Sequence, residues 1–286
     1  MFSVVIPLYN KEKSIRSTLQ SVLAQTFKDF EVVVVNDGSK DNSRGEVLTL
    51  NDSKIRLIDK ENGGVSSARN LGIHESKFEW VALLDGDDLY HPHFLETIYS
   101  LLKKFPEAEV YFTGFGQVND KTNFKSIHAI PGEGYLDDYF KAVNRVGKTV
   151  ISSSSVVIKK SLLLEVGGFN TNLKRGEDLD LWERLAKRCK MAYTEKVLAF
   201  YRLDAENRTN VRLPELKSSR LYNLNVEEIK TEDEFQYYRP MVLNSIWTAL
   251  RYGKFKRAFI FYWKYKKVIT IGQILSYISN KFKNKN

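Results

Sequence analysis

Three carboxylates, those of Asp85, Asp87 and Asp88, follow directly after an apolar run at residues 81–84. A short apolar run bounded by charge and a later proline is typical of a buried strand, so these acids are expected where a strand leaves the core. Carboxylates this close repel one another, and one would be protonated at neutral pH unless a cation compensates. Hard oxygen ligands suit Mg²⁺ or Mn²⁺, which also bind substrate phosphates. The pattern therefore indicates a metal–diphosphate site, with a solvated acidic turn as the alternative.

A second group of residues could hold an anion. Gly63 and Gly64 form a flexible turn, Ser66 or Ser67 can begin a helix, and Arg69 falls in the first turns of that helix. The N-terminus of a helix attracts negative charge, and a basic side chain there can reach the same ligand. Opposite a metal site, this group would form the other half of a pyrophosphate clamp.

A third group begins the helix predicted at residues 176–190, where Glu177 and Asp178 lie in the first turn. A carboxylate in a first turn is stabilised as the anion, so we expect Asp178 to stay deprotonated and able to accept a proton. Acidic residues are also common at helix starts for structural reasons alone.

The elements that must position these residues alternate between strand-like and helix-like patterns over the first hundred residues. This alternation predicts an α/β fold with a mainly parallel sheet, in which ligands bind beyond the carboxyl ends of the strands. Apolar periodicity places strands at residues 2–8, 30–35, 55–58 and 80–84 and helices at residues 15–23 and 94–102.

Beyond residue 108 the alternation loosens. We predict a strand at residues 109–118, an irregular stretch at 127–141, a strand at 149–160 and a short helix at 161–166.

Five segments, taken in order, resemble the motifs of the family 2 glycosyltransferases, nucleotide-sugar enzymes of the GT-A fold. They are SVVIPLYN, VVVVNDGSKDNS, ENGGVSSARNLGI, LLDGDDLYHP and GGFNTNLKRGEDLDLWERLA, and the resemblance covers residues 2–202. It implies an inverting, metal-dependent transfer of a sugar from a nucleotide sugar, with UDP-sugar as the expected donor.

The resemblance also implies roles for individual residues. Pro7, Tyr9 and Asp37 would line the base and ribose pocket, with Arg69 near the nucleotide. In the DxD motif, Asp85 would face the ribose or sugar and Asp87 would bind Mn²⁺ or Mg²⁺, while Asp88 would orient its neighbours or cap the next helix.

In the last motif of the resemblance, Asp178 would be the catalytic base, and Glu177 and Trp182 would shape the acceptor and sugar pocket. The family often continues with a Tyr-Arg-x-His pattern, but here Asp204 stands where the histidine is expected. Arg202 is retained as a phosphate or acceptor contact.

Charge is distributed unevenly along the 286 residues, whose net charge is +9. Residues 211–286 hold 15 Lys and Arg against 6 Asp and Glu, and from Arg239 onward there are 11 basic, 10 aromatic and no acidic residues. Helical spacing places Phe255, Phe259 and other apolar residues on one side of a basic helix. That apolar side could pack on the catalytic domain, lie on an anionic membrane, or face nucleic acid. The enzyme assignment favours the membrane, and no nucleic-acid partner is expected.

We therefore expect three parts: a nucleotide-sugar-binding part at 1–110, an acceptor-binding part with the catalytic base at 111–210, and a basic helical extension at 211–286. The expected partners are a UDP-sugar and a saccharide acceptor, by analogy one linked to undecaprenyl diphosphate in surface polysaccharide synthesis. We expect a cytoplasmic protein, peripheral on the membrane if the extension binds lipid, since no apolar run is long enough to span a bilayer and Cys189 is the only cysteine. The alternatives are a nucleotidyltransferase and a non-catalytic nucleotide- or saccharide-binding module.

Overall fold

A computed structural model describes residues 1–118, 124–206 and 215–283. The chain divides into two compact units. The first comprises residues 1–139, 148–171 and 177–210, and the second comprises residues 140–147, 172–176 and 211–286.

All strands of the described residues belong to the first unit. They are β1 (Phe2–Leu8), β2 (Phe30–Asp37), β3 (Ile55–Lys60), β4 (Trp80–Leu83), β5 (Leu89–Tyr90), β6 (Ala108–Val118), β7 (Phe124–His128), β8 (Glu133–Leu136), β9 (Val156–Lys159) and β10 (Lys190–Arg202). The α-helices are α1 (Ile15–Leu23), α2 (Ser43–Leu48), α3 (Val65–Glu75), α4 (Phe94–Lys104), α5 (Tyr139–Val146), α6 (Lys160–Glu165), α7 (Glu177–Ala186), α8 (Arg220–Asn223), α9 (Glu232–Arg251), α10 (Phe255–Lys264) and α11 (Ile271–Lys283).

The strands form one sheet in the order β3-β2-β1-β4-β9-β6-β10-β5, with β7 beside β6 and β8 beside β10. The predicted parallel pairing holds for β1 to β4, whose carboxyl ends lie at one edge. Beyond β4 the sheet is mixed, because β9 runs antiparallel to both β4 and β6. The α/β fold class is confirmed, and the mainly parallel sheet is confirmed for its first half only.

Hydrophobic burial accounts for the arrangement of the first half of the sheet. Every residue of β2 is buried, as expected for an inner parallel strand covered on both faces. Helix α1 buries Ile15, Leu19 and Val22 from one stripe, and α4 buries its own stripe from Phe94 to Leu101. These predicted helices are confirmed, and their packing fixes where β1 and β4 end.

Several sequence predictions in the second half of the unit were wrong. The stretch at 127–141 is not irregular throughout, because it contains the end of β7, all of β8 and the start of α5. The strand expected at 149–160 is confined to β9, since a short 3₁₀ helix, Ser153–Ser155, precedes it. Strand β10 was not predicted at all, although it pairs with β6 along its length.

The second unit is built around α9. A capping box at its start joins Thr231 and Glu234, each side chain accepting from the other's backbone N–H. The ring of Tyr237 on α9 packs edge-to-face on that of Phe140, with 5.1 Å between the ring centroids. Helices α10 and α11 both contact α9.

The predicted apolar side of α10 is divided in the structure. The helix buries Ala258, which was predicted on that side, together with Phe261, whereas Phe255 and Phe259 are 68% and 64% exposed. The helix also ends at Lys264, so Ile269 lies beyond it.

Candidate active site

Strands β1 and β4 bring the first and fourth strand ends together. They pair in parallel, with Val5 opposite Leu83. The turn after β4 then passes so close to β1 that a Cβ on Gly86 would lie 3.0 Å from the carbonyl oxygen of Pro7. The glycine of the DxD motif therefore allows Asp85 and Asp87 to lie beside the end of β1.

Arg69, from the second predicted group, bonds to both the acidic cluster after β4 and the acidic start of α7. Its Nη2 lies 2.6 Å from Asp85 Oδ1 and its Nη1 lies 3.1 Å from Glu177 Oε1. The guanidinium is almost wholly buried, with 4% of its side chain exposed. Burial acts to lower the pKa of Arg69, but Asp85 and Glu177 raise it more strongly, so the pKa is raised and the group stays charged.

Packing around α3 holds Arg69 in this position. Its guanidinium carbon lies 4.9 Å from the ring centroid of Phe169, a cation–π distance. The next residue, Asn70, exchanges two hydrogen bonds of 2.8 Å with the backbone of Phe169. Trp182 packs edge-to-face on the same ring, with its centroid 6.4 Å away. Arg69 is therefore supported from α3 and from the residues that precede α7.

Asp178 lies in the first turn of α7, half-buried beside Glu177. Burial raises the pKa of Asp178, and the Glu177 charge raises it further, while Arg69 and the backbone N–H of Leu179 lower it. The net direction of the pKa is upward, opposite to the lowering that stabilisation of the anion by the helix N-terminus predicts. A raised pKa brings a carboxylate closer to the working range of a general base.

Asp87 pairs with a cation supplied by the chain itself. Lys11 Nζ lies 2.6 Å from Asp87 Oδ2 and also donates to the backbone carbonyl of Glu206. Burial raises the pKa of Asp87 and Asp85 raises it further, whereas Lys11 lowers it. Lys11 therefore compensates part of the negative charge in the cluster.

Asp88 is buried and connects three segments. Its Oδ2 accepts from Ser154 Oγ at 2.5 Å and its Oδ1 accepts from the backbone N–H of Arg202 at 3.1 Å. Ser154 Oγ in turn accepts from the backbone N–H of Asp85 at 3.2 Å. Burial raises the pKa of Asp88 well above its ordinary range, as do the charges of Asp87 and Asp85. Asp88 thus orients its neighbours and does not cap α4, whose N-cap is His93.

Asp37 ends β2 and is 2% exposed. It accepts from the backbone N–H groups of Gly63 and Gly64 at 2.9 and 2.8 Å and from Lys60 Nζ at 2.6 Å. Its two oxygens offer about four acceptor positions, so roughly one remains for another donor. The carboxylate also fixes the glycine turn that begins α3.

The remaining predicted residues lie around this cluster at different depths. Pro7 and Tyr9 are half-buried at the end of β1. Arg202 ends β10, where its guanidinium bonds to both oxygens of Asp204 at 3.2 Å. Trp182 has no exposed surface, so the structure places it in the core beneath Phe169 and not on the wall of a pocket. Because a fully enclosed side chain cannot touch a ligand, Trp182 could shape the predicted acceptor and sugar pocket only indirectly, by packing on Phe169, and that role stays a prediction.

The donor set fits a divalent cation in the way the DxD pattern suggests. Within the described ranges, no group of three or more His, Cys, Asp or Glu side chains could enclose a metal by itself. Mg²⁺ is commonly bound through one or two carboxylates together with substrate phosphates, so a full protein cage is not required. Asp87 is the carboxylate of the DxD motif that makes no bond to Arg69; 16% of its side chain is exposed, and its Oδ2 accepts from Lys11 Nζ.

Three contributors to this network were missed in the sequence. Lys11 and Lys60 neutralise Asp87 and Asp37, and Ser154 bonds both Asp85 and Asp88. Ser154 lies in a run of four serines that was assigned to a strand, and nothing in that run points to position 154. Lys11 directly follows the strand-end residues Tyr9 and Asn10, and this position was the one sequence feature that could have identified it as part of the site.

The sequence profile described as "Glycosyl transferase family 2" matches residues 3–164. The chain therefore belongs to glycosyl transferase family 2, which confirms both the resemblance inferred from its motifs and the enzyme class. Among curated relatives, an uncharacterized glycosyltransferase of Rickettsia felis is 32% identical over 249 residues, covering 82% of this chain and 40% of the relative. A second, from Rickettsia prowazekii, is 31% identical over 220 residues, covering 76% of this chain and 68% of the relative. The chain thus spans less than half of the length of the first relative.

Solved structures of TarS from S. aureus share the fold. The TarS structure in complex with UDP-GlcNAc aligns with a TM-score of 0.64 at 17% identity, over 93% of this chain and 91% of that one. Another TarS structure aligns with a TM-score of 0.60 at 23% identity, over 71% of this chain and 36% of that one. The GT-A type of α/β fold is thereby confirmed. Among the helices of residues 1–118, 124–206 and 215–283, none is long and apolar enough to cross a membrane.

Proposed function

We propose that this chain transfers a sugar from a nucleotide sugar, a UDP-sugar, to a hydroxyl of a saccharide acceptor with inversion at the anomeric carbon. Family membership supports glycosyl transfer. The TarS complex with UDP-GlcNAc, which shares the fold, supports UDP as the nucleotide.

The observation that carries the proposal is the pair of bonds from Arg69 to Asp85 and Glu177. These bonds connect the turn of the DxD motif with the first turn of α7. A donor held at Asp85 would consequently lie near Asp178, the proposed base. Asp85, which would hold the donor, and Asp178, which would act on the opposite side of the anomeric carbon, are thus brought together through the ion network of Arg69.

The proposed chemistry is one in-line displacement. Asp178 accepts the proton of the acceptor hydroxyl as that oxygen attacks the anomeric carbon, and the bond from this carbon to the diphosphate breaks. Its raised pKa suits this role, since a base with a pKa near the working pH accepts a proton more effectively than an ordinary carboxylate. Arg69 contributes a fixed positive charge near the departing diphosphate.

Asp87 would hold the Mn²⁺ or Mg²⁺ ion, which when bound would offset the negative charge of the leaving diphosphate. Pro7, Tyr9 and Asp37, at the ends of β1 and β2, would bind the uridine. Glu177 and Arg202 would face the sugar or the acceptor.

The finer part of the proposal concerns the acceptor. We infer a saccharide carried on a lipid diphosphate of the undecaprenyl type, in the synthesis of a surface polysaccharide, with the enzyme working at the cytoplasmic face of the membrane. The excess of basic residues after position 210 supports an anionic, lipid-linked acceptor.

The test is a screen of nucleotide sugars with Mn²⁺ present, following release of the free nucleotide. We expect release from one UDP-sugar and retention of UDP binding in Asp178→Asn, with transfer reduced about 10²- to 10⁴-fold, the usual contribution of a general base. Asp180→Asn is the matched control, because Asp180 lies in the same helix turn but pairs with Arg184 at 2.8 Å. This control should retain transfer.

Three results would contradict the proposal. Release only from GDP- or CMP-sugars would overturn the choice of UDP, and full activity in Asp178→Asn would overturn the base. UDP binding without release from any nucleotide sugar would favour the non-catalytic binding module. An α-linked donor should give a β-linked product, which NMR of the product's anomeric proton can check.

A further inference from the structure

The second unit carries an exposed aromatic stripe. On α10 it consists of Phe255, Phe259 and Trp263, which follow one another at intervals of four residues and are 68%, 64% and 60% exposed. Residues four apart lie on the same face of a helix. The opposite face of α10 buries Ala258 and Phe261 in the unit, so its apolar residues divide between a packed face and an exposed one.

The last helix repeats the pattern. Ile271, Leu275 and Phe282 on α11 are 59%, 62% and 60% exposed, and no described residue of this helix is buried. A stripe of exposed apolar side chains along one helix face marks an interaction site on an otherwise polar surface. A single exposed apolar side chain is common on protein surfaces, but α10 and α11, which follow one another in the chain, each have three.

The charged residues of α10 and of the chain on either side of it, residues 251–267, are all basic, and Lys267 pairs with Glu227 from an earlier segment. Arg251, Lys254, Lys256 and Lys266 are exposed near α10, and no acidic residue occurs after position 238. Lys266 Nζ lies 4.3 Å from the ring centroid of Trp263, so a basic side chain makes a cation–π contact with the exposed indole. The surface is thus aromatic and cationic together.

We propose that the exposed faces of α10 and α11 form a docking surface for an anionic lipid bilayer. Aromatic rings favour the headgroup region of a membrane, and neighbouring Lys and Arg residues bind anionic lipids. A second copy of the chain fits less well, because two surfaces without acidic residues would repel each other. This inference does not depend on glycosyl transfer, so it can fail or hold separately from the proposed function.

The test is flotation of the full chain with vesicles of phosphatidylglycerol and phosphatidylcholine in equal parts, compared with phosphatidylcholine alone. We expect binding to the anionic vesicles only, weakened by salt. In Phe259→Ser/Trp263→Ser the binding should fall about tenfold or more, because two aromatic rings that would enter the headgroup region are removed. In Lys256→Gln/Lys266→Gln it should fall about fivefold for each lysine, the value of a basic residue at such a surface.

Leu164→Ser is the matched control, since Leu164 is a 52% exposed apolar residue on α6 of the first unit. Its binding should equal that of the unchanged chain. Acyl-brominated lipids give a second measurement, because they should quench tryptophan fluorescence in the unchanged chain and quench it less in Trp263→Ser.

The proposal is overturned if the chain fails to float with anionic vesicles, or if the aromatic double variant floats as well as the unchanged chain. Equal binding to phosphatidylcholine alone would also overturn it, because the cationic residues would then have no part. Retention on nucleic acid without flotation would assign the surface to another partner.

Discussion

Arg69 Nη1 lies 3.1 Å from Glu177 Oε1, although the two residues are 108 positions apart in the chain. The same guanidinium holds Asp85, so a single side chain positions carboxylates from the turn after β4 and from α7. Two parts of the predicted site that the sequence keeps separate are consequently parts of one ion network.

This network makes Arg69 a large contributor to stability. Arg69→Met would leave Asp85 and Glu177 without their common partner, and we expect the free energy of unfolding to fall by about 3 kcal/mol. Urea denaturation followed by circular dichroism measures this change. Arg44→Met is the control, since the pair Arg44–Asp59 is 53% and 47% exposed and such pairs contribute about 1 kcal/mol or less. Equal losses of unfolding free energy in both variants would contradict the stabilising role of Arg69.

The pH dependence of transfer follows from the raised pKa of Asp178. Below that pKa the carboxyl is protonated and cannot accept a proton, so kcat/KM should rise with pH through a value above the ordinary range of aspartate. Glu177→Gln removes a neighbouring charge that raises this pKa, so the rising limb should move to lower pH. The measurement is a pH profile of kcat/KM for the unchanged chain and for Glu177→Gln. An unmoved limb, or one moved to higher pH, would exclude Asp178 as the titrating base.

Gly86→Ala should disturb the DxD turn. Its new Cβ would lie 3.0 Å from the Pro7 carbonyl oxygen, and a backbone group can yield little. We expect a loss of about 1–3 kcal/mol in stability from overpacking and weaker binding of the nucleotide sugar. Gly134→Ala on β8 is the matched control, because nothing lies within 4 Å of its added Cβ. Calorimetric titration with the UDP-sugar should show weaker affinity in Gly86→Ala only.

Lys11 and a divalent cation should compete for Asp87, because Lys11 Nζ already lies 2.6 Å from Asp87 Oδ2. Lys11→Met should therefore tighten Mn²⁺ binding about three- to tenfold in the absence of nucleotide, because the metal no longer has to displace the ammonium group. Electron paramagnetic resonance of free Mn²⁺ measures this affinity. Lys60→Met should leave it unchanged, since Lys60 pairs with Asp37. Unchanged or weaker binding in Lys11→Met would show that the two cations do not share Asp87.

Removing divalent cations with EDTA should abolish transfer, and added Mn²⁺ or Mg²⁺ should restore it. In Asp87→Asn the restoration should require much more metal, because the proposed carboxylate ligand is lost. Transfer that survives EDTA in full would contradict metal dependence.

Much of the fold could be predicted where the local pattern was strong. Phe2–Leu8 was predicted with its observed bounds, because a parallel inner strand is a continuous apolar run. Strand β10 was missed because its burial alternates irregularly and its register with β6 shifts at several points. A strand without regular alternation carries little signal in one sequence.

The site was predictable as residue types but not as a network of contacts. Asp85, Asp178 and Arg69 stood out because clustered acids and a basic residue at a helix start suggest chemistry. Their partners Ser154 and Lys11 depend on long-range pairing, which no local pattern encodes. The sign of the Asp178 pKa was missed for the same reason, since burial and Glu177 outweigh the helix terminus.

Asp88 and Arg69 each bond to residues that lie beyond position 164, where the family match ends. A recombinant fragment or a gene fusion cut at that boundary would deprive each of one partner, because Arg69 would keep Asp85 but lose Glu177, and Asp88 would keep Ser154 but lose the backbone N–H of Arg202. Chimaeras between this chain and its relatives should therefore fold only when the junction lies after β10. The segment that must be inherited as one piece is longer than the segment that carries the family match.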